Sequence, residues 1–480
     1  MTTALEHLRQ TLDLHATDRA WARLWALRGQ EGPPSREARG RFAWLQAESG
    51  REAMLEVVER GGLTPPSLAR LQALRMSVET QAQVARASWP LGEVLRRRDE
   101  QGMRPGDWLA ALTVEPDGVV RAASLRGVLQ YVAPAANGML VAGLEAEAGA
   151  RAQVGEVGEV GEAGEVVRAE HVTWARTFLR ETEAAARDLI AYMARPGQGP
   201  AGLDLAAALY GLRAAELDGV LGTGGRGGRA TTLLQALGLG RHGANRLRVE
   251  PDPVGLWGSH PLALGVPGDV RLIAGEALPG ALGEWSWLGA LGQGLALSLT
   301  NPTLPCEDRW PLVDGAATFL GGLFQQWLPD PVFLRSVYRV SGSQVGRVQR
   351  VVLAGMLFWA RLACHWLVVA GEYPTGPAPT TEEAGAALAA VVGAPVGVEA
   401  NGLLGCLPRV AHGRVWGLLH GMAIHGALRD RFDEDYFRNP RFHEVLLGMA
   451  QRGNTLDGET LRLELGVVLE DFQARLRDWY

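Results

Sequence analysis

The stretch from Trp285 to Pro302, "WSWLGALGQGLALSLTNP", constrains this chain more than any other. It is apolar on every side, and a helix of that kind is a buried one. Gly289, Gly292 and Gly294 all fall inside it. A glycine in a helix interior costs about 1 kcal/mol against alanine. Two readings account for three of them. Either the glycines allow neighbouring helices to approach closely, or larger residues once stood at some of these positions.

The rest of the sequence supports helices around that core. "LARLQALRMSVETQAQVARASWPLGEVLRRRDE", "HVTWARTFLRETEAAARDLIAYMAR" and "LEDFQARLRDWY" carry apolar residues at three- and four-residue spacing. Clusters such as "QEGPPSRE", "RPGQGPAG" and "EYPTGPAPTTEE" punctuate them. Residues 154–167, "VGEVGEVGEAGEVV", place glycine at nearly every third position, which opposes a helix and predicts a flexible, solvated connection. We therefore divide the chain into an N-terminal helical lobe over 1–153, the connection over 154–167 and a larger helical region over 168–480. One segment departs from the helical rule. Residues 245–276 contain the short alternating runs "LRVE" and "DVRLIAG", with Pro251, Pro253 and Pro267 to break a helix. Their pattern predicts a small antiparallel β element around 246–274, extended at 246–250 and 269–274.

Composition excludes several kinds of chemistry. The net charge of −6 argues against nucleic acid and against a basic membrane patch. All 47 basic residues are arginine, so there is no Schiff-base, pyridoxal-phosphate or P-loop lysine. The abundance of Ala, Gly, Leu, Val and Arg reads as coding bias from a GC-rich bacterium. Cys306, Cys364 and Cys406 are odd in number and far apart, which suggests a reducing compartment rather than a disulfide framework. The polar, periodic N-terminus is unlike a signal peptide. The most membrane-like run, residues 351–371, carries Arg361 at its middle, at a cost of about 3 kcal/mol in a bilayer centre. It reads as a buried core helix, and we expect a cytoplasmic protein with no membrane contact.

Two motifs lack the context that would give them meaning. Gly222, Gly224 and Gly227 have dinucleotide-fingerprint spacing, but the preceding "LRAAELDGVL" reads as helix where that fingerprint needs a strand. His412, His420 and His425 lie near one another, but no pair has the four-residue spacing that puts two metal ligands on one helical face.

A third pattern carries more. His260-Pro261-Leu262 is followed by Gly268-Asp269-Val270-Arg271 and then by Gly289-Ala290-Leu291-Gly292-Gln293-Gly294-Leu295. This series resembles the carboxypeptidase Taq family of metallopeptidases, and more loosely thimet oligopeptidase and oligoendopeptidase F. There, a His-Pro-Phe and a Gly-Asp-Val-Arg strand lead into the zinc helix, H-E-x-G-H-A-L. The resemblance covers roughly residues 245–480. It implies an all-α, large two-lobed fold with a central cleft and a small β element beside it. It also maps Gly289 and Gln293 onto the zinc histidines, Ala290 onto the general base, and Asp314 onto the third ligand. Two histidines one turn apart hold the metal in such a site, and the glutamate deprotonates its water. One carboxylate and one amide cannot supply the three ligands a catalytic zinc requires. The family also places oxyanion-stabilising tyrosines on a late helix. The matching segment, 408–432, has none, and Trp416 and Leu418 stand where they are expected.

The resemblance therefore implies a catalytically inactive metallopeptidase homologue, without catalytic residues, bound metal or other cofactor. Its vestigial positions are Gly289, Ala290, Gln293 and Asp314. A retained cleft for a peptide or protein partner would draw on His260, Asp269, Arg271, His412, Trp416, Leu418 and His420. The "DVRLI" strand suggests β-augmentation as the mode of binding. Two alternatives stand beside this one. The first is an active hydrolase using Glu284, Glu307, Asp308 or Asp314 with a histidine. The second is a structural subunit whose cleft is filled by its own side chains.

Overall fold

The computed structural model describes residues 4–27, 63–78, 115–156, 169–195, 204–221, 226–240, 246–251, 258–275, 280–372, 381–396 and 408–465, with the single residues 56, 94, 107, 112, 400 and 404. Most of these are helical. The N-terminal part contributes α1 (Ala4–Leu27), α2 (65–78) and α3 (Gly118–Glu156). Then come α4 (Ala169–Glu181), α5 (Glu183–Ala194), α6 (Leu205–Arg213) and α7 (Arg226–Ala236). After the sheet follow α8 (Gly280–Leu299), the short α9 (Cys306–Arg309), α10 (Ala316–Trp327), α11 (Pro331–Ser336) and α12 (Gly342–Glu372). The chain continues through α13 (Thr381–Val392), α14 (Pro408–Phe432), α15 (Pro440–Gln451) and α16 (Gly458–Leu465).

Local chemistry sets many of these boundaries. Asp204 caps α6 by accepting from the Ala207 N–H at 2.7 Å. Asp330 and Asn439 cap α11 and α15, each with proline at the start of the helix, where a missing N–H costs nothing. The long periodic run over 171–195 divides at Thr182, whose hydroxyl donates to the Phe178 carbonyl at 2.7 Å. The connection expected over 154–167 is partly helical, since α3 runs on to Glu156, and residues 157–168 lie outside the described residues. The helix read in "LEDFQARLRDWY" lies outside them too, as do Cys406 and residues 222–225. A helical turn, Asp218–Leu221, stands where a dinucleotide fingerprint would need its strand.

The β element corrects the sequence reading in one respect. Both extended segments form, as β1 (Leu247–Pro251) and β3 (Asp269–Ala274), but a third strand, β2 (His260–Gly265), joins them in the order β1-β3-β2. β2 and β3 are antiparallel, with His260 opposite Ile273. β1 runs parallel to β3, with Leu247 opposite Val270. The chain reverses once before β2 and again after it, so β3 regains the direction of β1. The sheet is mixed rather than antiparallel.

Behind the sheet the helices lie in successive layers. α8 packs on β2 and β3, α10 on α8, α14 on α10, α12 on α14, and α4 on α12. Glycines make these approaches possible. A Cβ at Gly292 would stand 2.9 Å from both the Leu320 carbonyl carbon and Phe324 Cγ, and nearer still to the Leu320 oxygen. On the far side of α10, a Cβ at Gly322 would run into the Gly417 carbonyl, and Gly421 is equally close to Gly322. A Cβ at Gly294 would stand 2.9 Å from Leu247 on β1. Where backbone meets backbone, at Gly292, Gly322 and Gly421, there is no room for a larger side chain.

Arg361 explains how an apolar helix carries a charge at its centre. Its guanidinium is almost wholly buried. It donates to the carbonyls of Leu179 (2.6 Å), Val391 (3.0 Å) and Ala390 (2.9 Å) and to the Thr182 hydroxyl (2.7 Å). These carbonyls end α4 and α13, where helices leave acceptors unpaired and carry partial negative charge. One side chain thus caps two helices. Two described helical stretches, Gly118–Ala146 and Gly342–Glu372, are long and apolar enough to cross a membrane; the apolar window is 78% buried in the second and 39% in the first.

α1 is fastened to the sheet and to the segment around α9. Arg9 Nε lies 3.0 and 3.1 Å from the two oxygens of the fully buried Glu307. Asp13 accepts from Trp310 Nε1 at 2.6 Å, and Ala20 and Trp21 pack on Leu262, Leu264 and Ile273 of the sheet. Arg70 of α2 pairs with Asp308.

Candidate functional site

The site read from the sequence lies between α8 and α10. The two helices run antiparallel and interlock. Gly289 faces Gln325, with a Cβ there 2.6 Å from the amide nitrogen and 2.9 Å from Cγ. Gln293 faces Gly321 in the same way, with its Cγ 2.5 Å and its amide nitrogen 2.9 Å from where that Cβ would be. Each glutamine stem lies across the bare glycine of the other helix. Gly289 therefore does not leave an open surface, because Gln325 covers it.

This crossing is also where the helix pair meets solvent. Every residue of α8 is buried except Ser286 and Gln293, and every residue of α10 is buried except Gln325. Ser286, Gln293 and the buried Ala290 lie at i, i+7 and i+4 spacing on one face of α8. The Ser286 hydroxyl accepts from the Ser259 N–H at 2.9 Å, which ties this opening to the start of β2 beside half-buried His260. Neither glutamine amide has a hydrogen-bond partner among the described residues.

Asp314 does not join this group. α10 begins after it, with Gly315 as N-cap, so Asp314 lies outside a helix whose first residue, Ala316, is already about 7.5 Å from Gly321 along the axis. Its Oδ1 instead accepts from the Gly458 N–H at 3.1 Å, which anchors the turn into α16. Its assignment opposite Gln293 is corrected on this geometry: the register of α10 puts Gly321 there. Gly321 and Gln325 escaped the sequence reading, although "GGLFQ" at 321–325 repeats the Gly-x-x-x-Gln spacing of "GALGQ" at 289–293.

The residues on α14 form a separate aromatic ladder. His412, Trp416 and His420 follow one another on one face, with ring centroids 5.3 and 5.4 Å apart. His171 of α4 lies 4.8 Å from His412, and Phe319 of α10 lies 4.4 Å from His420. His420 Nδ1 is 3.0 Å from the Trp416 carbonyl, and burial pushes its pKa down to about 4. Leu418 belongs to the buried core on another face. The ladder meets α10 at Phe319, and Gly417 meets it at Thr318, whereas Gly321 and Gln325 meet α8.

The charged strand residues are satisfied within the sheet. Arg271 donates to both oxygens of Asp269, at 2.6 and 2.9 Å, and also pairs with Glu250 of β1. The Asp269 hydrogen bond leads the effects that raise its pKa further. β3 is the central strand, so both of its edges are already paired. β-augmentation on "DVRLI" is therefore ruled out by the strand order.

The alternative catalytic carboxylates are also committed elsewhere. Glu307 and Asp308 hold α1 and α2, as described above; burial raises the Asp308 pKa despite Arg70. Glu284 accepts from the Tyr338 hydroxyl and pairs with Arg229 at 3.0 Å. His425, set aside as a ligand, is a hydrogen-bonded core residue. Its Nδ1 is 2.8 Å from the Tyr436 hydroxyl, which accepts from Trp327 Nε1 at 2.7 Å, and its Nε2 is 3.4 Å from Asp330. Among the described residues no group of three or more His, Cys, Asp and Glu is placed to hold a metal ion. With Gln325 lying over Gly289, the residues of the α8–α10 crossing do not fit a three-ligand zinc centre.

No family model matches the sequence, and no curated protein does. The similarity is one of structure. The chain matches the M32 carboxypeptidase of Deinococcus radiodurans R1 over 99% of its own length and 98% of that chain, with a TM-score of 0.58 at 15% identity. It matches the Pyrococcus furiosus carboxypeptidase over 100% and 99%, with a TM-score of 0.54 at 10% identity. For Trypanosoma cruzi metallocarboxypeptidase 1 the coverage is 100% of both chains, with a TM-score of 0.53 at 12% identity. The chain thus has the helical fold of these metallocarboxypeptidases along its whole length.

Proposed function

We propose that this protein is a catalytically inactive relative of the metallocarboxypeptidases that binds a peptide, or an extended segment of a protein partner, without cleaving it. The observation that carries this reading is the α8–α10 crossing. Position 289 has no side chain, Gln325 fills its place, and the groups left facing solvent are two neutral amides. Neutral amides hold no catalytic zinc and activate no water, but they do form hydrogen bonds with peptide groups. Cytoplasmic residence belongs to the same reading, and the free buried thiols of Cys306 and Cys364 suit a reducing compartment.

The interlock also favours a second reading, a structural subunit whose cleft is closed by its own side chains. Binding separates the two. A fluorescein-labelled pool of random nonapeptides, blocked at both ends, is titrated with the protein and followed by anisotropy, and the same mixture is examined by mass spectrometry with and without added Zn²⁺. The proposal expects saturable binding and intact peptides. Absence of binding would leave the structural reading, and chelator-sensitive cleavage would establish an active enzyme.

A further inference from the structure

We infer that Gln293 and Gln325 together form a recognition site for the backbone of an extended peptide. The inference rests on the peptide-binding reading above and names the groups that do the binding. Three observations carry it. The two glutamines are the solvent-reaching residues at an otherwise buried crossing, with Ser286 beside them. Their amides have no hydrogen-bond partner among the described residues. Their stems lie across Gly321 and Gly289, which holds both side chains against the helices.

The spacing suits one ligand. Positions 289 and 293 are one helical turn apart, and Gln325 and Gln293 lie over those two levels. The Gln325 amide nitrogen lies beside Gly289 and the Gln293 amide nitrogen beside Gly321, so the two carboxamides sit within one turn of each other at the crossing. Residues i and i+2 of an extended chain repeat at about 6.7 Å and present their N–H and C=O groups on the same side. Each carboxamide offers a donor and an acceptor. Gln293 and Gln325 can thus pair with the N–H and C=O of alternate residues of one strand-like peptide. Such contacts read the backbone and tolerate any side chain that projects away. The ligand class is an extended, sequence-diverse peptide, and neither glutamine needs a charge or a metal to hold it.

The test uses the full chain and the blocked random nonapeptide pool. Gln293→Leu and Gln325→Leu, singly and together, keep a stem over each glycine and remove the amides; Gln293→Met with Gln325→Met is the second pair. The double variants should bind the pool at least tenfold more weakly than the wild type while unfolding at the same temperature. A pool N-methylated at alternate residues should bind the wild type at least tenfold more weakly, and this arm needs no variant. Unchanged affinity in the double variants, or for the N-methylated pool, overturns the amide site while the peptide-binding reading survives. A wild type that does not bind the unmodified pool overturns both.

Discussion

Replacing Gly292 with alanine adds one methyl group at the closest approach of α8 and α10. That methyl would stand 2.9 Å from the Leu320 carbonyl carbon and from Phe324 Cγ. Favourable carbon contacts lie at about 3.5–4.0 Å, so α10 would have to retreat by more than half an ångström. Its far side is already closed, because Gly322 packs against the Gly417 backbone. Overpacking of this kind costs about 1–3 kcal/mol, and a backbone that cannot move belongs at the upper end. Alanine returns about 1 kcal/mol in helix propensity. The expected net loss is about 2 kcal/mol. Two controls isolate the cause. Gly138 in α3 is exposed with nothing within 4 Å of a Cβ, so Gly138→Ala should stabilise by up to about 1 kcal/mol. The nearest atoms to a Cβ at Gly289 belong to the Gln325 side chain, which can swing away, so Gly289→Ala should lie within about 1 kcal/mol of neutral. Urea unfolding followed by tryptophan fluorescence gives the three midpoints. If Gly292→Ala is as benign as Gly138→Ala, the close-packing account of these glycines is wrong.

Three further outcomes follow from the same geometry. Arg361→Met should cost at least about 3 kcal/mol in urea unfolding, because it strands buried carbonyls at the ends of two helices; Arg361→Lys should recover only part of this. His420 is held neutral, with its pKa at about 4 in the folded chain against about 6.5 unfolded, so the unfolded chain takes up the proton first. His420 should by itself remove up to about 3 kcal/mol of stability as pH falls from 6.5 towards 4; His365, which burial also lowers to about 4, adds a similar loss, so His420→Gln should remove about half of the slope. Finally, Gly289→His and Gln293→His combined with Gln325→Glu should bind Zn²⁺ in calorimetric titration, whereas the same histidines with Asp314→Glu should not; equal affinity in the two would contradict the helix register.

Much of the architecture was legible before any coordinates. Periodicity placed the helices over 68–78 and 171–195, and alternation flanked by proline placed β1 and β3. Local patterns carry that information because they arise from local geometry. The register of one helix on another does not. Asp314 is separated from Gln293 by the end of α8, the short α9 and the turns around it, and nothing in that connection says how far along α8 the next long helix begins. Sequence spacing therefore favoured the nearest carboxylate, while the fold put Gly321 and Gln325 at the crossing. Strand order failed for a similar reason: "DVRLI" shows its alternation but not which neighbours will claim its two edges. The middle of the apolar run over 351–371 was correctly read as buried, yet the acceptors of Arg361 come from Leu179, Thr182, Ala390 and Val391, which no local pattern links to it. The repeated Gly-x-x-x-Gln was the one legible sign of the site that went unread.

We propose above all that a metallocarboxypeptidase fold has here become a peptide-binding surface without hydrolytic chemistry. Mass spectrometry of the blocked nonapeptide pool, incubated with the wild-type protein and equimolar Zn²⁺, tests it most directly. The account predicts that every peptide survives intact at protein concentrations that bind the pool. Cleavage that a chelator abolishes and Zn²⁺ restores would contradict it.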